Sequence, residues 1–210
     1  MIKLDDLARL YDTDKRTNDP GQFIYHGYTP TYEHFLESHR EEYTNILELG
    51  VWRGGSHKMW KDYFPNAKIF GIDPFIEPDT KDVSDERITI LKGSQDDKEL
   101  IDNNFSDNQF DVIIDDGSHR SWHQQKSFLY LWSKLKNGGF YFIEDLAVCY
   151  LREFREFDDW NSSTSGWLES LRTNNPHSYY INDKDLKNIL LEIGFIGMFG
   201  ELAVIKRDIQ

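Results

Sequence analysis

Residues 46–56 read Ile46-Leu47-Glu48-Leu49-Gly50-Val51-Trp52-Arg53-Gly54-Gly55-Ser56. A short apolar run enters a glycine-rich turn, and Ser56–Phe64 follows with the length of a helix. An apolar run that is not diluted by alternating polar residues suits a strand covered on both faces, as in a parallel sheet with helices on either side. Further runs of this kind follow at Ile69–Asp73, Ile88–Leu91, Phe110–Asp115, Phe140–Ile143 and Leu202–Ile205. Helical lengths separate them at Asp96–Asn104 and Ser121–Leu135; in the second, Phe128, Leu131, Trp132 and Leu135 recur at three- and four-residue spacing. The repeated βαβ order predicts an α/β fold with a doubly wound, mostly parallel sheet.

The C-terminal end departs from this alternation. Gly194–Gly200 and Glu201–Lys206 are strand-like and almost contiguous. A parallel crossover needs a dozen or more residues, so these two strands must form an antiparallel hairpin. The prediction is one domain over residues 1–210. In it, 1–44 form an N-terminal helical cover, 45–206 a Rossmann-like core, and 147–182 a lid or insertion with little periodicity.

Composition narrows the function. Of 210 residues, 39% are hydrophobic and 15% aromatic, enough for a core, and the formal charge is −13. That charge argues against an electrostatic grip on a nucleic acid backbone. No apolar run approaches the length of a membrane span. The N-terminus lacks the pattern of a signal peptide, and the one cysteine, Cys149, fits a reducing cytoplasm.

In open α/β sheets, ligands bind beyond the C-terminal ends of the strands. The Gly50–Ser56 turn lets a ligand approach the backbone, but its spacing is not the G-x-G-x-x-G of a dinucleotide site, which counts against an oxidoreductase using such a cofactor. Asp73 ends the second run, where a carboxylate suits a ribose diol. Gly93-Ser94-Gln95-Asp96 ends the third, where an adenine edge can be read. A nucleoside ligand is expected here.

The fourth run ends Asp115-Asp116-Gly117-Ser118-His119 and the fifth ends Glu144-Asp145. Neighbouring strands would gather four carboxylates and an imidazole. Clustered acids raise one another's pKa unless a cation neutralises them, and Mg²⁺ or Mn²⁺ suits oxygen ligands. Asp116, Glu144 and Asp145 are the expected ligands. Asp115 orients a cofactor or caps the next turn, and His119 is placed to take a proton from a substrate hydroxyl. His123, four residues on, shares a helix face with His119 only if the helix begins before Ser121. As an alternative to all of this, acids at strand ends also serve as helix caps.

The run ILELGV, then GGS, GID and the GSQD turn, resembles the class I S-adenosylmethionine-dependent methyltransferases, and the terminal hairpin is what that fold adds to a Rossmann-like sheet. The resemblance implies that Gly50 meets the methionine part of the cofactor, that Asp73 holds the ribose and that Glu48 is the acid of the first motif. With Thr13-Asp14-Lys15, His26-Gly27-Tyr28-Thr29 and Tyr32-Glu33, the D-D-G-S-H and I-E-D runs are similar to Mg²⁺-dependent sugar O-methyltransferases of macrolide and glycoside biosynthesis, the mycinamicin type above all. That resemblance implies metal binding by Asp116, Glu144 and Asp145 and a general base at His119. It places Thr13, Lys15, Tyr28, Glu48, Gly50, Ser56, Asp73, Ser94, Gln95 and Asp115 around S-adenosylmethionine. The partner implied is a glycoside or other small-molecule acceptor, with no nucleic acid or membrane; a homo-oligomer is compatible. A catechol-like or nitrogen acceptor is the alternative within methyltransferases. Tyr150, Phe154, Phe157, Trp160, Trp167, Tyr179 and Tyr180 would stack on the acceptor, or else close a small core or an interface.

Overall fold

Burial on both faces makes strand β1, Asn45–Leu49: Ile46, Leu47 and Leu49 are all fully enclosed. The computed structural model describes residues 2–76 and 83–209, and the chain divides into two compact units, Met1–Lys92 and Gly93–Gln210.

In the first unit, β1 pairs in parallel with β2 (Lys68–Asp73), and β2 pairs in parallel with β3 (Ile88–Lys92). Helix α3 (Gly55–Tyr63) makes the crossover from β1 to β2 and buries Met59, Trp60 and Tyr63. Two earlier helices, α1 (Leu4–Leu10) and α2 (Thr29–Leu36), belong to the same unit. Tyr32 of α2 meets Trp60 of α3 edge-on, with ring centroids 5.0 Å apart. The polar loop between α1 and α2 is tied to α1 by Asp5. Its carboxylate accepts from Thr17 N at 2.7 Å, Thr17 Oγ1 at 2.8 Å and Thr29 Oγ1 at 2.6 Å.

In the second unit, α4 (Lys98–Asn104) is capped by Asp97, which accepts from Leu100 N. Strand β4 (Phe110–Asp115) is buried along its whole length and pairs in parallel with β5 (Leu135–Ile143). The ends of β4 and β5 therefore lie side by side, as the sequence implied. β5 pairs antiparallel with β7 (Leu202–Arg207), and β7 with β6 (Ile193–Phe199), so the order in this unit is β4-β5-β7-β6. The terminal hairpin is present, with a tight turn at Gly200 and Glu201. Helix α5 (Ser121–Leu131) buries Phe128 against Tyr141, Trp132 and Trp167, with centroids 4.9, 4.8 and 5.0 Å apart. Among the described residues there are seven strands, mostly parallel and ending in an antiparallel pair, which is the expected fold class.

Two details differ from the sequence reading. The helix expected over Ser121–Leu135 stops at Leu131; residues 132–134 tighten into a 3₁₀ turn and Leu135 opens β5, where it pairs with Phe110. Tertiary pairing overrides the helical spacing there. Within 147–182, Ser163 caps a helix, α6 (Thr164–Arg172), whose buried face includes Thr164, Ser165 and Gly166 beside Trp167 and Leu168. Small polar residues on a buried face hid its periodicity. A last helix, α7 (Asp183–Leu190), is capped by Asn182. No helix among the described residues is long and apolar enough to cross a membrane.

Asp5 gives this architecture a pH signature. Burial pushes its carboxyl up, but the bonds from Thr29, Thr17 and Arg9 outweigh this and hold it at about 2, against an ordinary 3.8. A depressed folded pKa contributes stability above the unfolded value, lost as pH falls through the folded one. The melting temperature of Asp5→Asn should thus lie below wild type at pH 6, and thermal melts should show the gap closing between about pH 4 and pH 2.

Candidate functional site

The end of β1 is built around two carboxylates. Asp73, last in β2, turns Oδ2 to the backbone N–H groups of Val51 (2.8 Å) and Trp52 (3.2 Å), and Oδ1 to Phe75 N at 2.7 Å. It therefore shapes the turn after β1. A carboxylate has about four lone-pair sites, so one acceptor position is left for a ligand. The turn itself runs through left-handed backbone at Gly50 (φ 89°), Trp52 (φ 46°) and Gly54 (φ 76°). At Gly54 a Cβ would also lie 2.1 Å from Val83 Cγ2, so a side chain there would have to displace Val83 as well as strain the backbone.

Glu48 is fully enclosed. Ser56 Oγ donates to Glu48 Oε2 at 2.6 Å, His57 Nδ1 lies 3.0 Å from the same oxygen, and Lys15 Nζ lies 3.4 Å from Oε1. Burial pushes Glu48 up, with Lys15 and Ser56 opposing. Burial, and then the charge of Lys15, pushes His57 down to about 3, so its ring is neutral. Lys15, itself buried, offers its carbonyl to Tyr28 N at 2.9 Å and Thr29 N at 3.1 Å, and its own N–H meets Thr13 Oγ1 at 3.4 Å. Thr13, Lys15, Tyr28, Glu48 and Ser56 are thus gathered in the first unit together with the Gly50 turn and Asp73. The sequence reading missed His57. The signal was Gly71, whose Cβ would lie 2.5 Å from His57 Nε2: a glycine inside a strand marks a close approach.

In the second unit the acids divide by role. Asp115 is enclosed; Gln95 Nε2 donates to both its oxygens (2.9 and 3.1 Å) and Ser127 Oγ donates at 2.6 Å. Burial raises it to about 6 against those hydrogen bonds. Gln95 Oε1 accepts from Ser118 N at 2.7 Å, so both ends of this amide are engaged. Gln95 and Asp115 hold each other and the loop beyond β4. Ser94 Oγ is bonded to Asp96 Oδ1 at 2.6 Å.

Past Asp115 the groups converge. Asp116, His119 and Asp145 each present a ligand atom within 4.8 Å of the others, and Asp116 and Glu144 are as close to one another. His119 Nε2 lies 3.5 Å from Asp145 Oδ2. His119 (φ 56°) and Asp145 (φ 57°) both have left-handed backbone. Outside glycine this costs about 1–3 kcal/mol each and persists where surroundings enforce it, often at working sites. His123 stands outside the cluster: α5 begins only at Ser121, and the His123 ring faces Ser118 and Asp96.

The aromatic residues of 150–180 also divide. Trp167 is core, packed on Phe128. Tyr150 and Trp160 are exposed and stacked, with centroids 5.2 Å apart. They line a cleft of about 490 Å³ with Leu146, Ser165, Glu169, Met198 and Glu201. Leu146 directly follows Asp145, so the cleft begins beside the acid cluster.

The buried Lys15–Glu48 pair is the main stability test. Removing one partner leaves an uncompensated buried charge and costs about 3–5 kcal/mol. Urea denaturation should show Lys15→Met and Glu48→Gln each destabilised on that scale, with the double variant losing less than the sum.

No family model matches the chain. Among curated proteins it is similar to the 8-demethyl-8-(2-methoxy-alpha-L-rhamnosyl)-tetracenomycin-C 3'-O-methyltransferase of Streptomyces olivaceus, 42% identical over 135 residues, 60% of this chain and 34% of that protein. It is also similar to the mycinamicin VI 2''-O-methyltransferase of Micromonospora griseorubida, 33% identical over 173 residues, 77% of this chain and 43% of that one. Among solved structures, the MycE methyltransferase of mycinamycin biosynthesis, in complex with Mg, S-adenosylhomocysteine (SAH) and mycinamycin VI, matches with a TM-score of 0.81 and 29% identity, over 99% of this chain and 55% of that one. The chain spans roughly a third to a half of the length of these relatives. The fold is therefore that of the S-adenosylmethionine-dependent methyltransferases, and the sequence is similar to those among them that act on sugars.

Proposed function

We propose that the chain transfers a methyl group from S-adenosylmethionine to a hydroxyl of a sugar or glycoside, assisted by Mg²⁺ or Mn²⁺. The observation that carries this reading is the convergence of Asp116, His119 and Asp145 at the joined ends of β4 and β5. The donor set fits the metal: carboxylate oxygens suit a hard divalent cation. Asp116, Glu144 and Asp145 would hold it, and a bound cation would lower the pKa of a coordinated hydroxyl.

S-adenosylmethionine would supply the methyl group on a sulfonium leaving group. In the first unit, Asp73 has an acceptor position left for a ribose hydroxyl, and the Gly50 turn offers close approach to backbone. Thr13, Lys15, Tyr28, Glu48 and Ser56 support that turn. In the second unit, Ser94, Gln95 and Asp115 shape the loops around the cluster. His119 Nε2 would take the proton of the acceptor hydroxyl as the methyl group arrives. The Tyr150–Trp160 stack and the carboxylates of Glu169 and Glu201 supply what a sugar ring needs, flat apolar faces and acceptors for hydroxyls. The relatives agree in chemistry, since their names describe methylation of sugar hydroxyls. A free, buried Cys149 is consistent with a cytoplasmic enzyme.

Incubation with S-adenosylmethionine, Mg²⁺ and mycinamicin VI or a rhamnosyl tetracenomycin tests this. Mass spectrometry should show the acceptor heavier by one methylene, with turnover lost in excess chelator. His119→Ala should lower kcat about 10²- to 10⁴-fold, the usual contribution of a general base, while calorimetry shows S-adenosylhomocysteine binding unchanged. Full turnover in chelator would refute the metal, and an unchanged kcat in His119→Ala would refute the base.

A further inference from the structure

His123, Ser118 and Asp96 stand beside the acid cluster without belonging to it. Ser118 Oγ lies 2.7 Å from His123 Nδ1, and His123 Nε2 lies 3.7 Å from Asp96 Oδ2. A hydroxyl has one proton and two lone pairs. Ser118 Oγ accepts from Arg120 N at 3.3 Å, which closes a turn around His119, and so has its proton to give to His123 Nδ1. His123 is then the neutral Nε2–H tautomer, with the Asp96 carboxylate 3.7 Å from that nitrogen. Burial holds His123 below its ordinary pKa against the pull of Asp96, in keeping with a neutral ring. From the other side, Gln95 Oε1 holds Ser118 N at 2.7 Å.

Three hydrogen bonds thus fix the residue just before His119. The His119 ring has no such anchor of its own, because Nδ1 is buried without a hydrogen-bond partner among the described residues. A histidine at a metal or proton-transfer site is commonly aimed by a bond to its second nitrogen. Here the aim has to come from the backbone at residue 119, which is left-handed. We propose that His123 is a positioning residue: through Ser118 it locks the left-handed backbone of His119 and so fixes where the His119 ring stands at the acid cluster. The consequence for turnover rests on His119 being the base proposed above, whereas the geometry can be tested without turnover.

The test compares His123→Ala, His123→Asn and His123→Gln in protein labelled with nitrogen-15 histidine. Asn Oδ1 stands where Nδ1 stood and accepts from Ser118; Gln reaches toward Asp96 and leaves Ser118 unpaired. In long-range proton–nitrogen spectra, His119 should give one narrow set of ring signals in wild type and His123→Asn. The set should be doubled or broadened in His123→Ala and His123→Gln. In turnover assays, Ala and Gln should lower kcat about 10- to 100-fold, the scale of a small misplacement of a reacting group, with little change in acceptor KM, and Asn should restore most of it. An unchanged His119 spectrum in His123→Ala would overturn the proposal. Absence of turnover in wild type would overturn the methyl-transfer reading and leave the spectral test intact. Should His123→Ala fail to fold, Ser118→Ala carries the same comparison, with doubling expected and an unchanged spectrum decisive against.

Discussion

A carboxylate enclosed at the end of a buried strand has to be satisfied from within the protein, and Asp115 meets that demand in a way that builds the loop beyond it. Its oxygens take Gln95 Nε2 and Ser127 Oγ, one from the turn after β3 and one from α5. The same Gln95 amide turns its oxygen to Ser118 N, so the group that stabilises the buried charge also fixes the strand-end loop carrying Asp116 and His119. Leaving such an acid unpaired would carry a large desolvation cost. The satisfied network thereby fixes the loop on which Asp116 and His119 stand.

The first unit follows the same logic with a different buried acid. Glu48 is held by Lys15 and Ser56, with a neutral, enclosed His57 beside it. Desolvating an ion pair so completely brings little net stability, and its best-attested use is to fix one arrangement against others. Here it fixes the N-terminal segment to β1. Lys15 carries Thr13 and Tyr28 with it through its own backbone, so one pair sets the position of three of the residues expected near the cofactor. Asp73 completes the unit by clasping the N–H groups of the glycine turn.

Most of the fold was legible in the sequence because it rests on burial. Undiluted apolar runs marked the strands, and the shortness of the link between Gly194–Gly200 and Glu201–Lys206 required the hairpin. The positions of the site residues were legible for the same reason, since acids that end consecutive strands must fall on one edge of a sheet. Their division of labour was not. Asp115 and Asp116 are identical and adjacent, yet side chains alternate along a strand, and only the packing of α5 shows that Asp115 turns inward to Ser127. Gln95, expected in sequence near the cofactor, also braces Asp115 and Ser118 N, which no local pattern announces. His57 went unread because a fully buried histidine takes its meaning from a partner distant in sequence, here Glu48.

The loop Asp115-Asp116-Gly117-Ser118-His119 shows how far local rules carry. A glycine in a tight loop invites the inference that it supplies the left-handed turn. Gly117 does not: left-handed backbone is found at His119, a residue that pays for it in strain. Gly117 is needed for room, since a Cβ there would stand 2.2 Å from Gln95 Oε1. The glycine thus lets Gln95 approach, Gln95 holds Ser118, and Ser118 holds the strained histidine. Asp145, across a gap of 3.5 Å from His119, has the same unusual backbone at the end of the neighbouring strand. Two strained residues that meet at one point, each with a relaxed alternative open to it in an unconstrained chain, indicate that the surrounding network is built to hold that point.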